Sequence, residues 1–75
     1  MEKDDPIAIY NHGCDYREGA CGFPQDITKA LELFHRAGEL GYARAYTNIG
    51  ASYNLGTGVE IDKKKGAHYL ELAAI

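Results

Sequence analysis

The sequence predicts an all-α fold of four helices arranged as two helix–turn–helix repeats. Three observations predict it: the chain matches itself at a fixed offset, its apolar residues recur at helical spacing, and acids and glycines stand where helices start and stop. At an offset of 37, Ala8, Asn11, Gly13, Tyr16 and Gly19 match Ala45, Asn48, Gly50, Tyr53 and Gly56. The offset then becomes 36, and Gly22, Asp26, Lys29 and Ala37 match Gly58, Asp62, Lys65 and Ala73. The slip is one extra residue in Ala20-Cys21-Gly22-Phe23-Pro24 relative to Thr57-Gly58-Val59, and insertions of this kind belong in loops. Matches that keep their order on both sides of one insertion mark an internal repeat, with repeat 1 over residues 5–41 and repeat 2, cut short at its end, over 42–75.

Each repeat reads as two helices. The first opens on Asp5-Pro6, an N-cap acid followed by a proline where its missing N–H costs nothing. It runs to Glu18, and Gly19 supplies the left-handed residue that ends it. The second begins after Asp26, carries Ile27, Ala30, Leu31, Phe34, Ala37 and Leu40 on one face, and stops at Gly41. The third covers Tyr42 to Leu55, with Tyr46, Ile49, Gly50 and Tyr53 on one face. The fourth starts at Asp62 and carries Ala67, Leu70, Ala73 and Ala74. No segment alternates polar and apolar residues as a half-buried strand does.

Gly13 and Gly50 fall inside helices, where glycine costs roughly 1 kcal/mol relative to alanine. Equivalent placement in both repeats predicts a close helix crossing. Ala37-Gly38 and Ala73-Ala74 are the expected receiving surfaces, with Tyr16 and Tyr53 filling the space beside them.

Composition narrows the function classes. A chain of 75 residues, 45% apolar and 25% charged, is a folded domain too small for a deep dry cleft. Its net charge of −3, with the acidic excess in the first half, gives no general attraction for a phosphate backbone, so nucleic acid is not an expected partner. No stretch approaches a membrane span, and Met1-Glu2-Lys3-Asp4-Asp5 lacks the basic-then-apolar order of a secretion signal. Cys14 and Cys21 could close one very short loop at most, and they read as free thiols in a reducing, cytoplasmic compartment.

The second repeat, Ala45-x-x-x-Ile49-Gly50-x-x-Tyr53-x-x-Gly56-x-Gly58-Val59-x-x-Asp62-x-x-Lys65 followed by Tyr69 and Ala73-Ala74, resembles the Sel1-like repeat along nearly its whole length. The first repeat, Ala8 through Gly41, resembles it with departures: His12 stands before the glycine in place of an aliphatic residue, the loop is longer, and Gly38 replaces the second alanine. In the second repeat Gly66 replaces the usual alanine after the lysine. The resemblance implies a right-handed α/α solenoid related to tetratricopeptide repeats, acting as a noncatalytic adaptor or scaffold, and it implies no cofactor.

If Ala45, Ile49 and Tyr53 face the core, the opposite stripe of the third helix is Arg44, Thr47, Asn48, Ala51 and Asn54. Its counterpart on the first helix is Ile7, Tyr10, Asn11, Cys14 and Arg17. In a stacked array this is the concave face, and its aromatic, arginines and amides suit an extended peptide. An ordinary solvated face, or one covered by neighbouring repeats, is the competing reading. The Asn11/Asn48 pair serves equally well as a structural tie to a neighbouring helix.

Sharper chemistries fare less well. His12, Cys14 and Cys21 are ligand types for a metal, yet residues two apart on a helix diverge by about 200° and no fourth ligand is evident. A Cys14/Cys21 redox pair is the rival from the enzyme class, and a structural spacer is the rival among binding proteins. Gly56-Thr57-Gly58 and Gly19-x-x-Gly22 read as tight turns, because a phosphate loop needs its own strand and lysine. Lys63-Lys64-Lys65 reads as a solvated helix end set against the dipole, and His35 and His68 as rim residues. No Ser-His-Asp, Cys-His or carboxylate pair stands where the repeat would bring it together. The fourth helix ends at Ala73-Ala74-Ile75, before any glycine equivalent to Gly41. Because arrays are stable from about three units upward, a longer array or self-association through the open end is expected.

Overall fold

The computed structural model describes residues 5–19, 22 and 24–74, and every regular element among them is a helix. Helix α1 spans Pro6–Glu18, α2 Ile27–Glu39, α3 Arg44–Leu55 and α4 Lys63–Ala74. The helices pack in chain order, α1 on α2, α2 on α3 and α3 on α4, into a slab of 35 × 26 × 12 Å. The fold is thus the expected all-α repeat solenoid.

The sequence signals at the helix ends act as expected. Asp5 accepts from the Ile7 N–H at 3.0 Å, while Asp26 and Asp62 accept from the Lys29 and Lys65 N–H groups at 3.1 Å each. Such caps satisfy N–H groups that have no partner within the helix. Gly19 and Gly56 adopt left-handed conformations, with φ of 68° and 72°, and donate to the Asp15 and Ser52 carbonyls. After α2, the Tyr42 N–H reaches the Ala37 carbonyl and the Gly41 N–H the Gly38 carbonyl, both at 3.0 Å, which is the Schellman closure. Helix α3 begins two residues later than the sequence suggests. No side chain caps Ala43, and residues 42–46 enter the helix through three-residue turns, Tyr42 O to Ala45 N and Ala43 O to Tyr46 N.

The loops are tied in the same way in both repeats. The Asp26 N–H donates to the Tyr16 carbonyl at 2.8 Å, and the Asp62 N–H donates to the Tyr53 carbonyl at 2.9 Å. Beside each tie an ammonium group lies over a tyrosine ring, Lys29 on Tyr16 at 5.6 Å and Lys65 on Tyr53 at 5.4 Å. Each helix pair is therefore latched within its own repeat.

The core is a single small cluster. Ile9 of α1, Ala30, Leu31, Phe34 and Ala37 of α2, and Ala45 and Ile49 of α3 are buried. Gly13 and Gly50 stand at close crossings, but their partners differ from those expected. A Cβ on Gly13 would meet the Phe34 ring at 2.7 Å and the Ala30 carbonyl at 3.2 Å; one on Gly50 would meet the Gly66 carbonyl and Leu70, both at 2.8 Å. Crossings thus fall at Ala30/Gly66, about two turns before Ala37-Gly38 and Ala73-Ala74. Gly38 instead lies under the Tyr46 ring, at the seam between repeats. Gly66 lets α4 approach α3 by backbone, with the Asn54 amide oxygen pressed against it.

Candidate functional site

The predicted stripe separates into three groups. Ile7, Asn11, Arg44 and Thr47 are exposed on the α1/α3 face. Tyr10, Cys14 and Asn48 are half-buried and belong to the seam. The Asn48 amide donates to the Tyr10 hydroxyl at 2.9 Å, and the Tyr10 ring packs on Phe34 and Tyr42 at 5.4 and 5.0 Å. Burial pushes the Tyr10 phenol above its ordinary value, against the opposing pull of the Asn48 bond. Cys14, a free thiol, packs against the core beside it.

Arg17 and Ala51 form the third group, joined by Asn48 from the seam. They line one groove of about 140 Å³ together with Ser52, Leu55 and Thr57. Arg17 is held in place twice, by a guanidinium set 5.8 Å from the Phe34 ring centre and by an ion pair with Glu18 at 3.1 Å. The Ser52 hydroxyl donates to the Asn48 carbonyl at 3.0 Å, leaving its oxygen able to accept. A groove this size seats one side chain, well below the ~300 Å³ at which small-molecule sites begin. Asn54 turns away from this groove toward α4, with its amide against Gly66.

Ser52, Leu55 and Thr57 were not singled out by the sequence. The signal that marks Leu55 is a mismatch between repeats, since its equivalent in repeat 1 is Glu18. A second cavity of about 320 Å³ opens beside the α3–α4 loop, lined by Tyr53, Val59, Glu60, Ile61, Asp62 and Lys65. His35 and His68, expected at the rim, both meet Tyr69 edge-on at 5.3 and 5.4 Å, and Tyr69 in turn stacks with Tyr46 and Tyr53. Among the described residues no three His, Cys, Asp or Glu side chains lie close enough to share a metal ion. Cys21, and with it the metal and redox readings, lies outside the described residues, as does Ile75. No helix among them is long and apolar enough to cross a membrane.

Paired helices with repeated caps, repeated loop ties and repeated glycine crossings define an α/α repeat protein. The Sel1 repeat model matches residues 6–42 and 43–75, and the chain belongs to the Sel1 repeat family. It is similar to cytochrome c oxidase assembly factor 7A of Xenopus laevis, 36% identical over 80 aligned residues that cover 85% of this chain and 35% of that protein. Its structure is similar to the crystal structure of a Sel1 repeat protein from Oxalobacter formigenes, with a TM-score of 0.91 and 34% identity over 97% of this chain and 29% of that one. The chain thus spans about a third of the length of these relatives. Sel1 repeats are in general noncatalytic protein-interaction modules.

Proposed function

We propose that this chain is a noncatalytic adaptor or scaffold segment that holds a peptide or protein on the face formed by α1 and α3. The observation that carries this reading is the groove between these helices, where Arg17 from one repeat meets Asn48, Ala51 and Leu55 from the other. Arginine is among the residues enriched at protein-recognition surfaces. The name of the Xenopus laevis relative, an assembly factor, agrees with a scaffold that handles protein partners. Arg44 and Thr47, exposed further along α3, extend the same face.

The test is affinity capture with the native chain and with the Arg17→Glu, Arg44→Glu double variant. Loss of the captured partner from the variant supports the reading. Unchanged recovery overturns it and favours a spacer that only positions neighbouring segments.

A further inference from the structure

The two repeats provide an internal control for surface chemistry. Ser52 and Leu55 line the groove in repeat 2; at the equivalent positions repeat 1 carries Asp15 and Glu18. The α3–α4 loop shows the same replacement. Gln25 of repeat 1 lies over Gly19 and donates its amide to the Arg17 carbonyl at 2.9 Å, whereas its counterpart Ile61 lies over Gly56 and can make no such bond. Leu55 is 74% exposed and Ile61 61%. Repeat 1 builds the same turn with polar residues, so folding does not require aliphatic ones here. Leu55 borders the groove beside Ala51, so an aliphatic group of a partner placed there would take apolar surface of both out of water.

Charge selects the occupant. Arg17 is the charged residue lining the groove, and α3 carries no acidic residue from Arg44 to Leu55, although the whole chain has a net charge of −3. Its present partner, Glu18, is a surface carboxylate on the next residue, and such pairs are weak enough to be exchanged. We infer that the groove receives a partner segment with an aliphatic side chain next to a carboxylate, the aliphatic group resting on Ala51 and Leu55 and the carboxylate replacing Glu18 on Arg17. This inference rests on the α1/α3 reading and narrows it to one end of that face.

Titrating the ¹⁵N-labelled chain with three blocked peptides tests it: acetyl-Gly-Asp-Leu-Glu-Gly-amide, the same peptide with Lys for both acids, and the same with Gly for Leu. The first is expected to shift the Ala51, Ser52, Leu55 and Thr57 amides saturably, with the other two weaker by about tenfold or more. Leu55→Glu, at a position too exposed to disturb folding, should abolish those shifts, and Glu18→Gln should tighten binding by roughly threefold through removal of the competing carboxylate. Equal binding of the lysine or leucine-free peptide overturns the inference, as does no shift with any peptide or persistence in Leu55→Glu. Shifts confined to Ile7, Asn11, Arg44 and Thr47 overturn it while leaving the α1/α3 reading standing; shifts confined to α2 and α4 overturn both. Dilution-dependent shifts at Leu55 without peptide assign the patch to a second copy of the chain and overturn the inference too.

Discussion

Phe34 and Leu70 occupy equivalent positions in the two repeats, each facing the glycine of the preceding helix, yet Phe34 is 1% exposed and Leu70 37%. The caps at Asp26 and Asp62, the loop ties and the cation–ring contacts are the same in both. What differs is the neighbourhood: α2 lies between α1 and α3, while α4 packs on α3 and supplies only Gly66 to the buried set. A repeat's own residues therefore shape its hairpin, and burial comes from stacking a second hairpin against it.

The strongest test of this contrast is truncation at the paired positions. Phe34→Ala should cost about 3–5 kcal/mol, enough to unfold most of a domain this small, whereas Leu70→Ala should cost clearly less because its site is already partly wet. Urea denaturation followed by circular dichroism reads both. Equal losses would mean that α4 is buried in solution by something beyond these four helices. A smaller effect tests the shared part of the comparison. Asp26→Ala and Asp62→Ala each remove a cap bond of 3.1 Å, and each should cost about 1 kcal/mol. A marked inequality between the two would show that the latches are not equivalent.

The smallest effect concerns the seam. Tyr10→Phe removes the hydroxyl that Asn48 bonds, at a cost of about 1 kcal/mol or less at neutral pH. Because burial raises the Tyr10 value, the folded chain keeps that proton to higher pH than the unfolded chain. The resulting stability is intact below the ordinary phenol value of 10.0 and is lost as pH rises through the raised one. The variant should therefore show a shallower alkaline loss of stability than the native chain. Identical alkaline limbs would remove Tyr10 from the account of the seam.

Features confined to one hairpin were legible in the sequence. Asp5, Asp26 and Asp62 as caps, Gly19 and Gly56 as stops, and the burial of Ala45 and Ile49 follow from local chemistry and helical spacing. Features that join hairpins were not. The Asn48–Tyr10 bond spans 38 residues; the sequence leaves Asn48 open between recognition and a structural tie and offers Tyr10 only as a recognition residue, because a stripe opposite the core looks solvated until the neighbouring helix is in place. Inside a hairpin the exception is the partner of each glycine crossing: small residues mark close approach, and only the hairpin's geometry says that Gly13 meets Ala30 and Phe34 rather than Ala37-Gly38. Gly38 does make a close approach, to Tyr46 of the next repeat. The groove end at Leu55 falls where the repeats disagree, Glu18 in one and Leu55 in the other, and self-similarity carries no signal at such a position.

The loop ties at Tyr16–Asp26 and Tyr53–Asp62 have a genetic consequence. Cap, turn glycine and accepting carbonyl all lie inside one unit, so a duplicated stretch of coding sequence brings its complete hairpin with it. What must be newly matched is the seam, here Tyr10 with Asn48 and Gly38 with Tyr46. A gene built this way can lengthen in whole hairpins, with selection acting mainly on the few side chains that face the new neighbour.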